Sequence, residues 1–361
     1  MEGCKALFVG FLLFSWGGLS IIVSGDTSKS CEFPAIYNFG DSNSATGNSS
    51  TILKSSLSPH ADGRACDGRV IIDFIAEQIK LPYLIEYSNS SERNFRHGAN
   101  FAVGGSAIRW YNKNNEPRDS LDMQIQRFKQ FKSRSKQLFN EAKDASEKDR
   151  LPRQEDFAKA LYMFDIGQND LTLTSFDQLQ SEIPDIVSRL ASSIQDIYQE
   201  GGRVFWIHNT GPYGCLPLYI NQNKKSKTGD VDEHGCVKPY NNMATEFNKQ
   251  LKERVTKLRS ELSEAAITYV DIYAAKYELI SNAKNLGFDN PLEICCGKYQ
   301  ENKSWAWCGS KEAEVCKEPS KFVNWDSVHC TEAANKWVTN RILNGSLTDP
   351  SIPITQTCHK Q

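Results

Sequence analysis

Two kinds of apolar pattern alternate along this chain. Short apolar runs rich in β-formers are separated by longer stretches where apolar residues return every three or four positions. The first kind predicts strands and the second predicts amphipathic helices. Strands are expected in 35–39, 100–103, 160–166, 203–207 and 266–273. Helices are expected at 70–79 (Val70, Ile71, Phe74, Ile75, Ile79) and at 121–143 (Met123, Ile125, Phe128, Phe131, Leu138). Others are expected at 183–198 (Ile186, Val187, Leu190, Ile194), at 240–262 (Met243, Phe247, Leu251, Val255), at 274–283, and after Thr331, a plausible N-cap for Ala334, Trp337, Val338 and Ile342. Leu81-Pro82 and Gly201-Gly202 are stop signals. Strand followed by helix, repeated along the chain, argues for a parallel sheet with helices on both faces: an α/β fold in three layers, α/β/α, within one domain over 26–361.

Composition narrows the setting. Hydrophobic residues make up 39% of the 361 and charged residues 24%, which fits a globular chain with ample core. A net charge of −2 offers no footing for nucleic acid. At the start, Lys5 precedes a mostly apolar run from Ala6 to Trp16, and Val23-Ser24-Gly25 supplies small residues. That reads as a signal peptide over 1–25, with no later segment of membrane-spanning length. Cys4 would leave with it, and the ten remaining cysteines are expected to form disulfides in an oxidising compartment. Local pairs such as Cys215 with Cys236 and Cys308 with Cys316 would close loops, although spacing does not decide connectivity. Asn48, Asn89, Asn302 and Asn344 each begin an Asn-x-Ser sequon, a candidate glycosylation site. Together these features point to the secretory route and a secreted protein. Metal is not expected, since no His stands at ligand spacing from Cys295-Cys296.

The predicted strands end in polar or glycine residues: Ser42, Gly105, Asn169 and His208. In a parallel sheet those ends share one edge, where open α/β sheets put their sites. Before the last helix stands Trp325-Asp326-Ser327-Val328-His329. An Asp three residues before a His can take its Nδ1–H, leaving Nε2 to accept a serine proton. His208 reads as well as a structural strand-end residue as a site residue. Gly104-Gly105 lacks the spacing of a dinucleotide fingerprint.

Four blocks stand in order: Phe39-Gly40-Asp41-Ser42, Asn100-Phe101-Ala102-Val103-Gly104-Gly105, Gly167-Gln168-Asn169-Asp170 and Asp326-Ser327-Val328-His329. In this order the chain resembles the plant GDSL-type esterases/lipases of the SGNH hydrolase superfamily. Phe205 to Pro212 and Cys295-Cys296-Gly297 look like the early-nodulin/acetylesterase branch. The resemblance implies a flavodoxin-like sheet of five parallel strands and a serine esterase that needs no cofactor. It implies Ser42 as nucleophile, His329 as general base, Asp326 as its orienting carboxylate, and an oxyanion hole of the Ser42 and Gly105 N–H groups with the Asn169 amide. The expected partner is a small-molecule ester: a short O-acyl, above all O-acetyl, ester of a sugar, glycoside or other plant metabolite. Lipase action on longer chains, glycosidase action and a non-catalytic binding or defence role are the competing readings. Asn43 stands where the family name has Leu. Ala45 stands where relatives often carry an acid, so the stiffness of the loop around Ser42 is left open.

Overall fold

The computed structural model describes residues 30–358 apart from 48–62, 88–92, 111, 114–115, 118, 224–229 and 301–304. The expected signal peptide and the sequons at Asn48, Asn89 and Asn302 lie outside the described residues. Asn344 is exposed at the end of the last long helix.

Five strands form the predicted parallel sheet: β1 (Ile36–Gly40), β2 (Gly98–Asn100), β3 (Leu161–Asp165), β4 (Val204–His208) and β5 (Ala266–Val270). Their spatial order is β2-β1-β3-β4-β5, the flavodoxin-like order. A two-residue strand, β6 (Thr348–Asp349), adds an antiparallel edge beside β5. No periodicity announces so short an edge. The expected strand at 100–103 is shifted: β2 ends at Asn100, and Phe101 and Val103 continue only as single N–H donors to Asn38 O and Gly40 O of β1.

Strand residues alternate between two cores because successive side chains leave a strand on opposite faces. Tyr37, Phe39, Tyr162, Phe164, Phe205 and Ile207 face α2 (Leu121–Glu141), α4 (Phe176–Gln199) and α6 (Lys238–Glu261). Ile36, Leu161, Met163, Val204 and Trp206 face α1 (Ile71–Gln78), α7 (Ile272–Ser281) and α8 (Glu332–Leu343). Two short helices, α3 (Gln168–Leu173) and α5 (Pro217–Gln222), sit at the carboxyl end of the sheet. Thr331 caps α8 as expected, its Oγ1 accepting from Ala334 N at 3.2 Å. In α2 the inward stripe is Leu121, Gln124, Ile125, Phe128 and Phe131, whereas Met123 is exposed. Among the described residues no helix is long and apolar enough to cross a membrane.

Of the proposed disulfides, Cys215–Cys236 is present. Cys308–Cys316 is not: the pairs are Cys295–Cys316 and Cys296–Cys308. The cause is backbone pairing. Cys316 N donates to Cys295 O at 2.7 Å and Cys296 bridges Val315, which seats Cys316 beside Cys295 and leaves Cys308 to its neighbour. Cys31–Cys358 ties the two ends of the described chain. Cys66 and Cys330 are buried free thiols, so the expectation of disulfides throughout does not hold for them.

Candidate active site

The loop after β1 is built from the backbone outward. Asp41 Oδ1 accepts from both Asn43 N and Asn43 Nδ2 at 2.9 Å, an Asx turn. Asp41 O accepts from Ser44 N and Ala45 N at 3.2 and 3.0 Å. Gly40 must be glycine, since a Cβ there would lie 2.3 Å from Ser44 Oγ and 2.6 Å from Asp165 O. From α2, buried Gln124 clamps Gly40 on both sides: its Oε1 accepts from Gly40 N at 2.9 Å and its Nε2 donates to Gly40 O at 2.8 Å. Asn38 donates to Asn100 Oδ1 at 2.8 Å, and Asn100 donates to Ser44 O at 2.7 Å and Thr46 Oγ1 at 2.9 Å. The stiffness left open at Ala45 therefore comes from Asp41, Gln124 and this asparagine pair. Ala45 contributes its backbone N–H and is otherwise buried.

The turn before α8 is equally constrained. Asp326 Oδ1 accepts from Val328 N and His329 N at 2.8 Å, which folds the turn on its own carboxylate. The ring Nδ1 of His329 then lies 2.8 Å from Asp326 Oδ2, and its Nε2 lies 2.8 Å from Ser42 Oγ. Nδ1 facing a carboxylate carries the proton, so Nε2 is the acceptor for the Ser42 hydroxyl. The cysteine-rich segment braces this turn. Cys295 N and Cys296 N both donate to Trp325 O, at 3.1 and 2.6 Å, and Trp325 N donates to His329 O at 2.8 Å. On the other side Leu218 N of α5 donates to Ser327 O at 3.1 Å.

Gly105 and Asn169 meet through the residue between them in space. Asn169 Nδ2 donates one hydrogen to Ser106 O at 2.8 Å, leaving the second free of that bond. Gly105 has φ +79°, a left-handed conformation suited to glycine. The buried Asp170 carboxylate accepts from Ile108 N and Arg109 N at 2.7 and 3.1 Å, fastening the glycine loop to α3.

Electrostatics follows from this packing. Burial alone would pull the His329 imidazole down. The charge and hydrogen bond of Asp326 and the charge of Asp41 together outweigh burial and the opposing Lys276, and hold it above 6.5. Burial and the nearby Asp165 push Asp41 up to about 6, against the Asn43 hydrogen bonds. Burial likewise pushes Asp170 up to about 7. Asp165 is penalised by burial yet sits below its usual value, because His208 and Lys276 face it. His208 has the structural role. It is buried, its Nε2 accepts from Trp206 Nε1 at 3.0 Å, and its Nδ1 lies 3.5 Å from Asp165 Oδ2.

Ser42, Asp326 and His329 are thus joined in one hydrogen-bonded chain, while Gly105 and Asn169 are tied to each other's loops. Gln124, Asn38 and the cysteine brace escaped the sequence reading. A signal existed for Gln124, a polar residue on the inward stripe of an amphipathic helix. Among the described residues no cluster of His, Cys, Asp or Glu could hold a metal.

Comparison with known proteins identifies the family. The family model described as GDSL-like Lipase/Acylhydrolase matches residues 36–342. A GDSL esterase/lipase of Arabidopsis thaliana is 52% identical over 381 residues, covering 98% of each chain. Alpha-L-fucosidase 3 of the same plant is 45% identical, covering 92% of this chain and 96% of its own. The GDSL esterase/lipase ENOD8 of Medicago truncatula is 42% identical, covering 92% of both. The chain belongs to the GDSL-like lipase/acylhydrolase family, among the plant GDSL esterases/lipases, and is a carboxylic ester hydrolase.

Proposed function

We propose that this protein is a secreted serine esterase that removes short acyl groups, above all acetyl, from an oxygen-rich plant metabolite, through an acyl-Ser42 intermediate. The observation that carries the mechanism is the unbroken chain from Ser42 Oγ through His329 to Asp326, with both contacts at 2.8 Å. Ser42 Oγ attacks the ester carbonyl as His329 Nε2 takes its proton. Asp326 keeps Nδ1 protonated and balances the imidazolium charge. The Ser42 and Gly105 N–H groups and the second Asn169 hydrogen receive the oxyanion, and losing one such donor costs about 10²–10³ in turnover. His329 returns the proton to the leaving alcohol, and water repeats the sequence on the acyl-enzyme. Secretion is supported by the apolar leader and by four disulfides among the described residues.

The decisive test is hydrolysis of nitrophenyl acetate, butyrate and palmitate by wild type and Ser42→Ala. Acetate turnover that vanishes in the variant supports the reading; a fully active variant removes Ser42 as nucleophile. Turnover rising toward palmitate would favour the lipase alternative. Kinship with a protein named alpha-L-fucosidase 3 keeps glycoside cleavage as a second reading. It would need two carboxylates flanking a sugar. Here Asp41 and Asp326 are both engaged by their own turns. Nitrophenyl fucoside assayed beside nitrophenyl acetate separates the two.

A further inference from the structure

Beside the His329 turn lies a small cleft of about 20 Å³, room for the centres of one or two water-sized groups. Gln168, Gly211, Tyr213, Lys276, Asn324 and Cys330 are on its wall. Two of these residues adjoin the proposed machinery in sequence, Gln168 next to Asn169 and Cys330 next to His329. The lining is mostly apolar, yet a lysine stands in it.

Lys276, on α7, is half-buried. Among the described residues no carboxylate lies within 4.0 Å of its ammonium and no group accepts a hydrogen bond from it, in contrast to the paired Lys129 and Lys132. Its stem runs over Gly211, where a Cβ would come within 2.9 Å of Lys276 Cδ, so the absence of a side chain there makes the lysine's path. The charge is felt at the site, since Lys276 pulls down both His329 and Asp165. Gln168 is also half-buried, with no hydrogen bond from its side chain among the described residues. An apolar cleft with a few convergent polar groups is the usual make-up of a recognition site. A partly desolvated ammonium favours an anionic acceptor over a neutral one.

We infer that Lys276, with Gln168 beside it, forms a subsite for a carboxylate on the substrate, so that the preferred esters are acylated hydroxy acids or acylated acidic sugars. The space matches one or two water-sized groups, the scale of a carboxylate's oxygens, so the rest of the substrate would lie outside the cleft. The inference rests on the ester-hydrolase reading of the same site and adds its substrate class.

The test uses a matched pair, 4-acetoxybenzoate and its methyl ester, which differ in one negative charge. Wild type should favour the carboxylate in kcat/KM. Lys276→Met should lower the ratio of the two kcat/KM values about tenfold, mostly through KM, and Lys276→Arg should restore most of it. A ratio unchanged in Lys276→Met overturns the subsite, because a purely structural role, or one exerted only through the titration of His329, would move both esters together. Binding provides an arm independent of turnover. Calorimetry of 4-acetamidobenzoate on Ser42→Ala should show about tenfold weakening when Lys276→Met is added, and equal affinity in the two proteins also overturns it. If Ser42→Ala hydrolyses nitrophenyl acetate while this binding difference persists, the nucleophile assignment fails and the subsite stands.

Discussion

Gln124→Leu is the most informative single change, because Gln124 sits one helix away from the reacting atoms. Leu keeps the size of the side chain and removes both hydrogen bonds to Gly40. The loss is uneven. Gly40 N has Gln124 Oε1 as its acceptor at 2.9 Å, so its buried N–H is left unpaired at a cost of about 1–3 kcal/mol. Gly40 O keeps the Val103 N–H at 3.2 Å, so losing Gln124 Nε2 costs only about 0.5–1.5 kcal/mol. Apolar burial of Leu offsets part of this, for a net loss of about 2 kcal/mol. In a chain this long that lowers Tm by about 3 °C. Ser42 lies two residues beyond Gly40, so a small drift of its Oγ should lower kcat on nitrophenyl acetate roughly tenfold with little change in KM. Scanning calorimetry and steady-state kinetics on the purified variant read both effects. An unchanged Tm together with an unchanged kcat would refute the clamp.

Other outcomes follow from neighbouring contacts. Asp326→Asn should lower kcat about 10³–10⁴-fold by losing the tautomer control at Nδ1. It should also move the acid limb of kcat/KM to lower pH, because the carboxylate holding His329 above 6.5 is gone; a pH–rate profile reads the shift. Asp170 has a folded value of about 7 against 3.8 as a free side chain, so the folded chain holds its proton through that window. Its stabilising contribution is full below about pH 4 and is lost as pH rises through about 7, so the stability of wild type relative to Asp170→Asn should decline across that range in denaturant titrations. Removing the Cys31–Cys358 link, with a sequence separation of 327, should cost about 6 kcal/mol by chain entropy, read as a fall in Tm for Cys31→Ser/Cys358→Ser.

Much of this protein was legible from local pattern. Alternating strand and helix periods sufficed for a parallel sheet in three layers, because each period states which face an element must bury. A parallel sheet in turn sends every strand end to one edge, so Ser42, Gly105 and Asn169 could be grouped before any coordinates. Asp326 and His329 were readable as a pair because three residues of turn suffice to bring them together, and they share a backbone-braced loop. Only the tertiary structure decided what depends on contacts between distant segments. The 2.8 Å contact of His329 with Ser42 spans 287 residues, and Gln124 reaches Gly40 across 84. The exchange of partners among Cys295, Cys296, Cys308 and Cys316 arises from backbone pairing between loops that carry no periodic signal. The antiparallel β6 edge and the cleft around Lys276 are of the same kind: short segments with no pattern of their own, placed by the elements that surround them.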